Sequence, residues 1–194
     1  MVGRSQRGSR GKRSGNSGSL QRVFPMDEVI VSDAHDYLLA HYEEYDFIWS
    51  SPPCQSHSRM VKATRHKVRR YTDLKLYEEI MLLTKDFRGS WVVENVVPYY
   101  SPLIPPTFKV GRHLFWASQK PMFEIQDVKR PTNFIKSSNK ASKQVLHDWL
   151  GMQFDKNIYY GTNHCPAQIL RNAVHPLLGA RVLNSVTSVS TDLR

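Results

Sequence analysis

No stretch of the 194-residue chain approaches the roughly 18 consecutive apolar residues that a membrane helix needs. The N-terminus also lacks the short apolar segment of a secretory signal, so a cytoplasmic location is expected. Cysteine is scarce: Cys54 and Cys165 stand 111 positions apart, a spacing that makes neither a metal-ligand cluster nor a disulfide framework. No metal site is expected, and each thiol has to be judged by itself. Acidic residues are missing from two stretches. Residues 1–22 hold five Gly, five Ser and six basic residues (Arg4, Arg7, Arg10, Lys12, Arg13, Arg22) with no acid. So little apolar surface cannot offset the entropy of ordering, which predicts a disordered basic arm. Residues 51–70 carry Arg59, Lys62, Arg65, Lys67, Arg69 and Arg70, again with no acid, whereas residues 23–50 carry seven acids and no Lys or Arg. The net charge of +10 is therefore segregated, and it suggests a polyanionic partner.

What is present reads as alternating strand and helix from Val23 onward. Glu28–Ser32 is a short β-branched run that predicts a strand. Asp33 stands as a helix cap before the helical spacing of Ala34–Tyr42, and Phe47–Ser50 is apolar again. A second unit follows, with a helix over about Thr72–Asp86 and a strand over Trp91–Val96. Such alternation implies a mostly parallel sheet flanked by helices, with binding loops at the carboxyl ends of the strands. Further on, Ser142–Leu150 has helical character, and Ala167–Leu183 ends the fold with a helix that His175-Pro176 should kink or delay.

Two strand ends carry chemistry. Phe47-Ile48-Trp49-Ser50 runs directly into Ser51-Pro52-Pro53-Cys54-Gln55-Ser56, so paired prolines present a thiol at a fixed angle beside a cluster of cations, where its thiolate would be favoured. Trp91-Val92-Val93-Glu94-Asn95-Val96 puts an acid at the end of the next strand, near Cys54 in a parallel sheet. Each has an ordinary structural reading, a buried turn thiol and a carboxylate satisfied by backbone donors. Cys165, in Asn163-His164-Cys165-Pro166, reads as a turn thiol.

These residues resemble the DNA cytosine-5 methyltransferases. Pro52-Pro53-Cys54-Gln55 is similar to that family's Pro-Cys nucleophile motif, and Glu94-Asn95-Val96 to its Glu-Asn-Val motif, 40 positions on. Val31-Ser32-Asp33 resembles the strand end whose Asp contacts the adenine of S-adenosylmethionine. Gln168–Gly179 resembles the closing Gln-x-x-x-Asn-Ala-Val motif. The resemblance covers residues 28–183 and implies an α/β, Rossmann-like methyltransferase sheet with S-adenosylmethionine as cofactor and double-stranded DNA as partner. It further implies restriction-type DNA methylation by base flipping and a nucleoid-associated, cytoplasmic protein. Cys54 would attack carbon 6 of a flipped-out cytosine while Glu94 holds the ring nitrogen and amino group. Arg112, in Phe108-Lys109-Val110-Gly111-Arg112-His113, would stand for the family's arginine motif and join the catalytic set. Asp33, Pro52, Asn172 and Ala173 would line the cofactor. Gln55, Ser56, Arg59, Lys62, Arg65, Lys67, Arg69 and Arg70 would form the DNA-contacting catalytic loop. A small target-recognition insertion would occupy about Ala117–Lys143.

One departure matters. The family's opening strand and Gly-rich loop are not found before Val23, so the sheet reads as N-terminally truncated and the cofactor pocket as incomplete. Three readings follow: a methyltransferase, with a partner chain as one source of the missing motif, as in one half of a split methyltransferase; a truncated or degenerate relative that binds DNA without methylating it; and, less well supported, a thiol enzyme or exocyclic-amine methyltransferase.

Overall fold

Trp91, Val92, Val93, Glu94 and Asn95 are buried one after another, which marks a strand covered on both faces. The computed structural model describes residues 2–3, 28–59, 71–132, 134, 141–154, 157 and 165–187. It is an α/β chain with a mixed open sheet. The strands are β1 (Val2–Gly3), β2 (Phe47–Ser50), β3 (Ser90–Val96), β4 (Phe108–Val110) and β5 (His113–Ala117), in the order β1-β2-β3-β5-β4. The helices are α1 (Ala34–His41), α2 (Lys75–Lys85), α3 (Lys143–Leu150), α4 (Ala167–Asn172) and α5 (Pro176–Thr187).

β1, β2 and β3 are parallel, whereas β5 is antiparallel to both β3 and β4. The expected mostly parallel sheet is thus corrected to a mixed one, and the reason is local. A parallel return needs a crossover of a dozen or more residues, usually a helix. The segment 97–107 between β3 and β4 carries Pro98, Pro102, Pro105 and Pro106, which lack the N–H groups a helix requires. β4 and β5 are then joined by Gly111-Arg112 alone, and two residues allow only a hairpin. Gly111 sits at φ 55°, and a Cβ there would meet the Asp127 carboxylate at 2.0 Å.

The strand expected at Glu28–Ser32 does not form. Residues 28–32 are irregular, Ile30 and Val31 are exposed, and the outer edge of β2 is paired instead with Val2–Gly3. The rest of the expected basic arm, residues 4–22, lies outside the described residues. The other expected elements are present. Asp33 caps α1, its Oδ1 accepting from the N–H groups of His35 (3.0 Å) and Asp36 (3.2 Å). α2 presents Leu76, Tyr77, Ile80 and Leu83 at helical spacing to Ile48, Trp91, Val93, Leu114 and Trp116 of the sheet, and Leu38 of α1 joins the same core.

The chain divides into two compact units. The first comprises Met1–Ser5, Asp33–Asp127 and Arg181–Arg194 and contains the whole sheet; the second comprises Gln6–Ser32 and Val128–Ala180. In the second, Phe134, Ala141, Leu146, Leu150, Ala167 and Leu170 form a core between α3 and α4. Ser142 caps α3 through Oγ, and Gly151 at φ 64° ends it. As expected, His175-Pro176 interrupts the last helical stretch, so α4 and α5 are separate and Pro176 opens α5. Among the described residues no helix is long and apolar enough to cross a membrane.

Candidate functional site

β2 and β3 end side by side, with Ser50 opposite Val93. Two buried anchors set the turn that follows β2. Ser50 donates through Oγ to Glu79 Oε2 of α2 at 2.5 Å, and the Asn95 amide donates through Nδ2 to the Pro52 carbonyl at 3.1 Å. Asn95 is fully buried and its Oδ1 accepts from the Val96 N–H at 2.9 Å, so its orientation is fixed. The Asn of one strand end thereby holds the Pro-Pro-Cys turn of the other. Cys54 opens a tight turn, Cys54–Ser56, and its carbonyl accepts from the N–H groups of His57 (3.1 Å) and Ser58 (2.9 Å). Its thiol is partly exposed and is not joined to Cys165 in a disulfide.

Beyond the turn the chain is tied to the segment after β3. Ser58 bridges Pro98, and the Tyr99 N–H donates to the His57 carbonyl at 3.1 Å. His57 is buried, and that burial lowers its pKa, so the ring is neutral near pH 7. The Tyr77 hydroxyl donates to Tyr100 at 3.3 Å, and the Tyr100 hydroxyl, whose own ionisation burial pushes far up, shares a hydrogen bond with His57 Nδ1 at 2.5 Å. Gln55 and Arg59 are exposed. Ser56 Oγ accepts from the Asp73 N–H at 3.1 Å, which closes the base of the basic loop. The other loop cations expected on DNA, Lys62, Arg65, Lys67, Arg69 and Arg70, lie outside the described residues.

Glu94 is buried on the sheet face opposite Asn95. Its Oε1 meets His113 Nδ1 at 2.5 Å, and the Arg112 Nε–H donates to His113 Nε2 at 3.3 Å. The register explains the first contact: Glu94 pairs with Phe115 and Val96 with His113, so Glu94 and His113 are diagonal neighbours on one face. The hairpin turn places Arg112 behind the histidine, and the Arg112 carbonyl is held by the Val97 N–H at 2.8 Å. Sequence reading missed His113 because a residue next to a candidate arginine is not distinguished until the register is known.

Asp33 stands at the N-terminus of α1. Partial burial pushes its carboxyl up, but the Asp36 and His35 N–H groups and Lys75 outweigh this and hold it below its ordinary value. All three of these contacts, including Lys75 at 3.6 Å, fall on Oδ1. His35, buried two residues on, meets Glu79 Oε1 through Nδ1 and Glu78 Oε2 through Nε2, both at 3.1 Å. Its pKa is raised, chiefly by the hydrogen bond to Glu79. Glu79 therefore joins the start of α1 to the end of β2, a link invisible in the sequence because Glu79 looks like one more surface acid of an amphipathic helix.

Asn172 and Ala173 belong to the second unit. The Asn172 Oδ1 accepts from Gln168 Nε2 at 3.2 Å, and the Ala173 N–H closes α4 on the Leu170 carbonyl. Arg171 donates to the Ala141 carbonyl at 3.3 Å and lies 3.6 Å from the exposed Cys165 Sγ. The expected recognition segment begins with Ala117, the last residue of β5, and carries no helix or strand over 118–132, where Met122 and Phe123 are exposed; residues 133 and 135–140 lie outside the described residues. Among the described residues no group of three or more His, Cys, Asp or Glu side chains is placed to hold a metal ion.

Comparison with family models, with curated proteins and with solved structures finds no match for the chain in any of the three.

Proposed function

We propose that this protein acts on cytosine in double-stranded DNA as a cytosine-5 methyltransferase, with Cys54 as nucleophile and Glu94 as the base-holding acid. The observation that carries the reading is the Asn95–Pro52 hydrogen bond, which couples the thiol turn and the Glu94 strand at neighbouring parallel strand ends. A nucleophile and an acid held from two adjacent strand ends suit attack on a flat heterocycle drawn out of the duplex. Cys54 Sγ bonds to carbon 6 while Glu94 gives a proton to ring nitrogen 3, so the electron pair of the 5,6 double bond becomes available at carbon 5. S-adenosylmethionine would supply the methyl group that carbon 5 takes. Loss of the carbon 5 proton, breakage of the Sγ–carbon 6 bond and return of the nitrogen 3 proton to Glu94 restore the ring.

For the cofactor, the donor set fits in part. Asp33 keeps its carboxylate ionised and uses Oδ1 for the helix cap, so Oδ2 suits an exocyclic amine such as that of adenine. Pro52 stands in the turn just after β2.

Covalent trapping tests the reading. Duplex DNA of mixed sequence carrying 5-fluorocytosine is incubated with the full chain and enough S-adenosylmethionine to occupy a weak site, and run on a denaturing gel. An adduct retained in Cys165→Ala and lost in Cys54→Ala is expected. An adduct that survives Cys54→Ala overturns the assignment of the nucleophile, and DNA binding with no adduct at all favours a relative that binds without methylating.

A further inference from the structure

Arginine carries only donors, and this determines the order of protons in the chain Arg112–His113–Glu94. With the Arg112 Nε–H directed at His113 Nε2, that nitrogen has to be the acceptor. The one remaining ring proton is then on Nδ1, facing Glu94 Oε1, which accepts it. An acid proton on Glu94 can therefore reside only on Oε2. We propose that His113 is a specificity-determining positioning residue that restricts the Glu94 carboxyl to one hydrogen-bonding pattern, donor at Oε2 and acceptor at Oε1, and so selects cytosine over uracil or thymine.

The selection follows from the base edges. Cytosine offers an acceptor at ring nitrogen 3 and a donor at its amino group, which matches a carboxyl whose Oε2 donates and whose Oε1 accepts. Uracil and thymine offer the reverse, a donor at nitrogen 3 and an acceptor at oxygen 4. To meet them Glu94 would need a proton on Oε1, where the His113 N–H already points. A site that leaves buried polar groups unpaired against the wrong ligand rejects it far more strongly than one that merely fits it poorly. Glu94 and His113 are both buried, so water does not repair the mismatch. The base-selection part rests on the proposed function; the proton order does not.

Two measurements separate the parts. Nitrogen-15 NMR of the labelled full chain should show His113 as the neutral Nδ1–H tautomer, and Arg112→Met should release it to a mixture. An Nε2–H tautomer or an imidazolium in the unaltered chain overturns the proposal. Trapping is then compared on duplexes carrying 5-fluorocytosine or 5-fluorouracil. The preference for cytosine should fall by about tenfold or more in His113→Phe, the scale of one lost hydrogen-bond constraint, and be restored in His113→Asn, whose amide can donate in place of Nδ1. A preference unchanged in His113→Phe overturns the assignment of specificity. If no adduct forms with either base, the methyltransferase reading fails while the tautomer result still decides the proton order.

Discussion

His35 is held between Glu79 and Glu78, with Lys75 and Asp36 nearby, and it links α1 to α2 where both approach the end of β2. Because the folded protein raises its pKa above 6.5, protonated His35 contributes stability that is fully present below that value. The contribution is lost as pH rises through the raised folded value. Buried His57 has the opposite sign, since its lowered pKa disfavours folding as pH falls below 6.5. The informative quantity is therefore the difference between the unaltered chain and His35→Gln. Urea unfolding at a series of pH values should show that difference largest at acidic pH and shrinking above neutrality; a difference independent of pH would mean that His35 is held neutral. Asn95 is a second decisive residue. Asn95→Leu should leave the Pro52 carbonyl without its donor and cost about 1–3 kcal/mol, the price of an unsatisfied buried group. It should also reduce Cys54 trapping, and reduced stability with full trapping would show that the bond is not what holds the thiol turn.

At the scale of elements, the β4–β5 hairpin and the start of α1 carry the sharpest expectations. Gly111→Ala places a Cβ against Asp127 at a left-handed φ, and both effects act against folding. A loss of about 1–3 kcal/mol in chemical denaturation is expected, consistent with strain at such positions. Gly111→Ala combined with Asp127→Ala should recover part of it, since the backbone term remains when the contact is removed. At α1, Asp33→Ala removes the cap and should cost about 1 kcal/mol, whereas Asp33→Asn keeps a capping oxygen and should stay within a few tenths of the unaltered chain. The pair separates capping from any ligand contact: if S-adenosylmethionine binding is lost in Asp33→Asn while stability holds, the carboxylate has a role beyond the helix.

For the whole molecule, charge segregation predicts how DNA would be held under the proposed function. Each phosphate neutralised contributes about −0.9 to the slope of log K against log salt, so replacing Arg4, Arg7, Arg10, Lys12, Arg13 and Arg22 by Gln, which keeps β1, should flatten the slope. Neutralising Arg59, Arg65, Arg69 and Arg70 should flatten it further. Unchanged binding after both alterations would mean that the basic segments are solvated surface. S-adenosylmethionine should bind the chain by itself weakly, because no Gly-rich strand-loop-helix is found among the described residues to let backbone approach the cofactor. Titration calorimetry should show no micromolar binding; tight binding abolished by Asp33→Ala would reveal a complete pocket.

The sequence by itself determined the elements whose signals are local. The cap at Asp33 before α1, the amphipathic spacing of α2, the strand β3 and the break at His175-Pro176 depend on neighbours within a turn or two, and all were legible. The meeting of two motifs at adjacent strand ends was legible as well, because a parallel pair joined by a helix leaves little choice of geometry. Strand direction beyond β3 was not, since it depends on how a proline-rich connection turns back. Nor was the sheet partner of β2, because Ile30 and Val31 have strand propensity while Val2–Gly3 occupies the edge. Only tertiary structure decided that Glu79 is buried against Ser50 and His35, and that His113 stands between Arg112 and Glu94. Such contacts join residues far apart in the chain, and which polar side chain they bury is settled by register and packing rather than by local pattern.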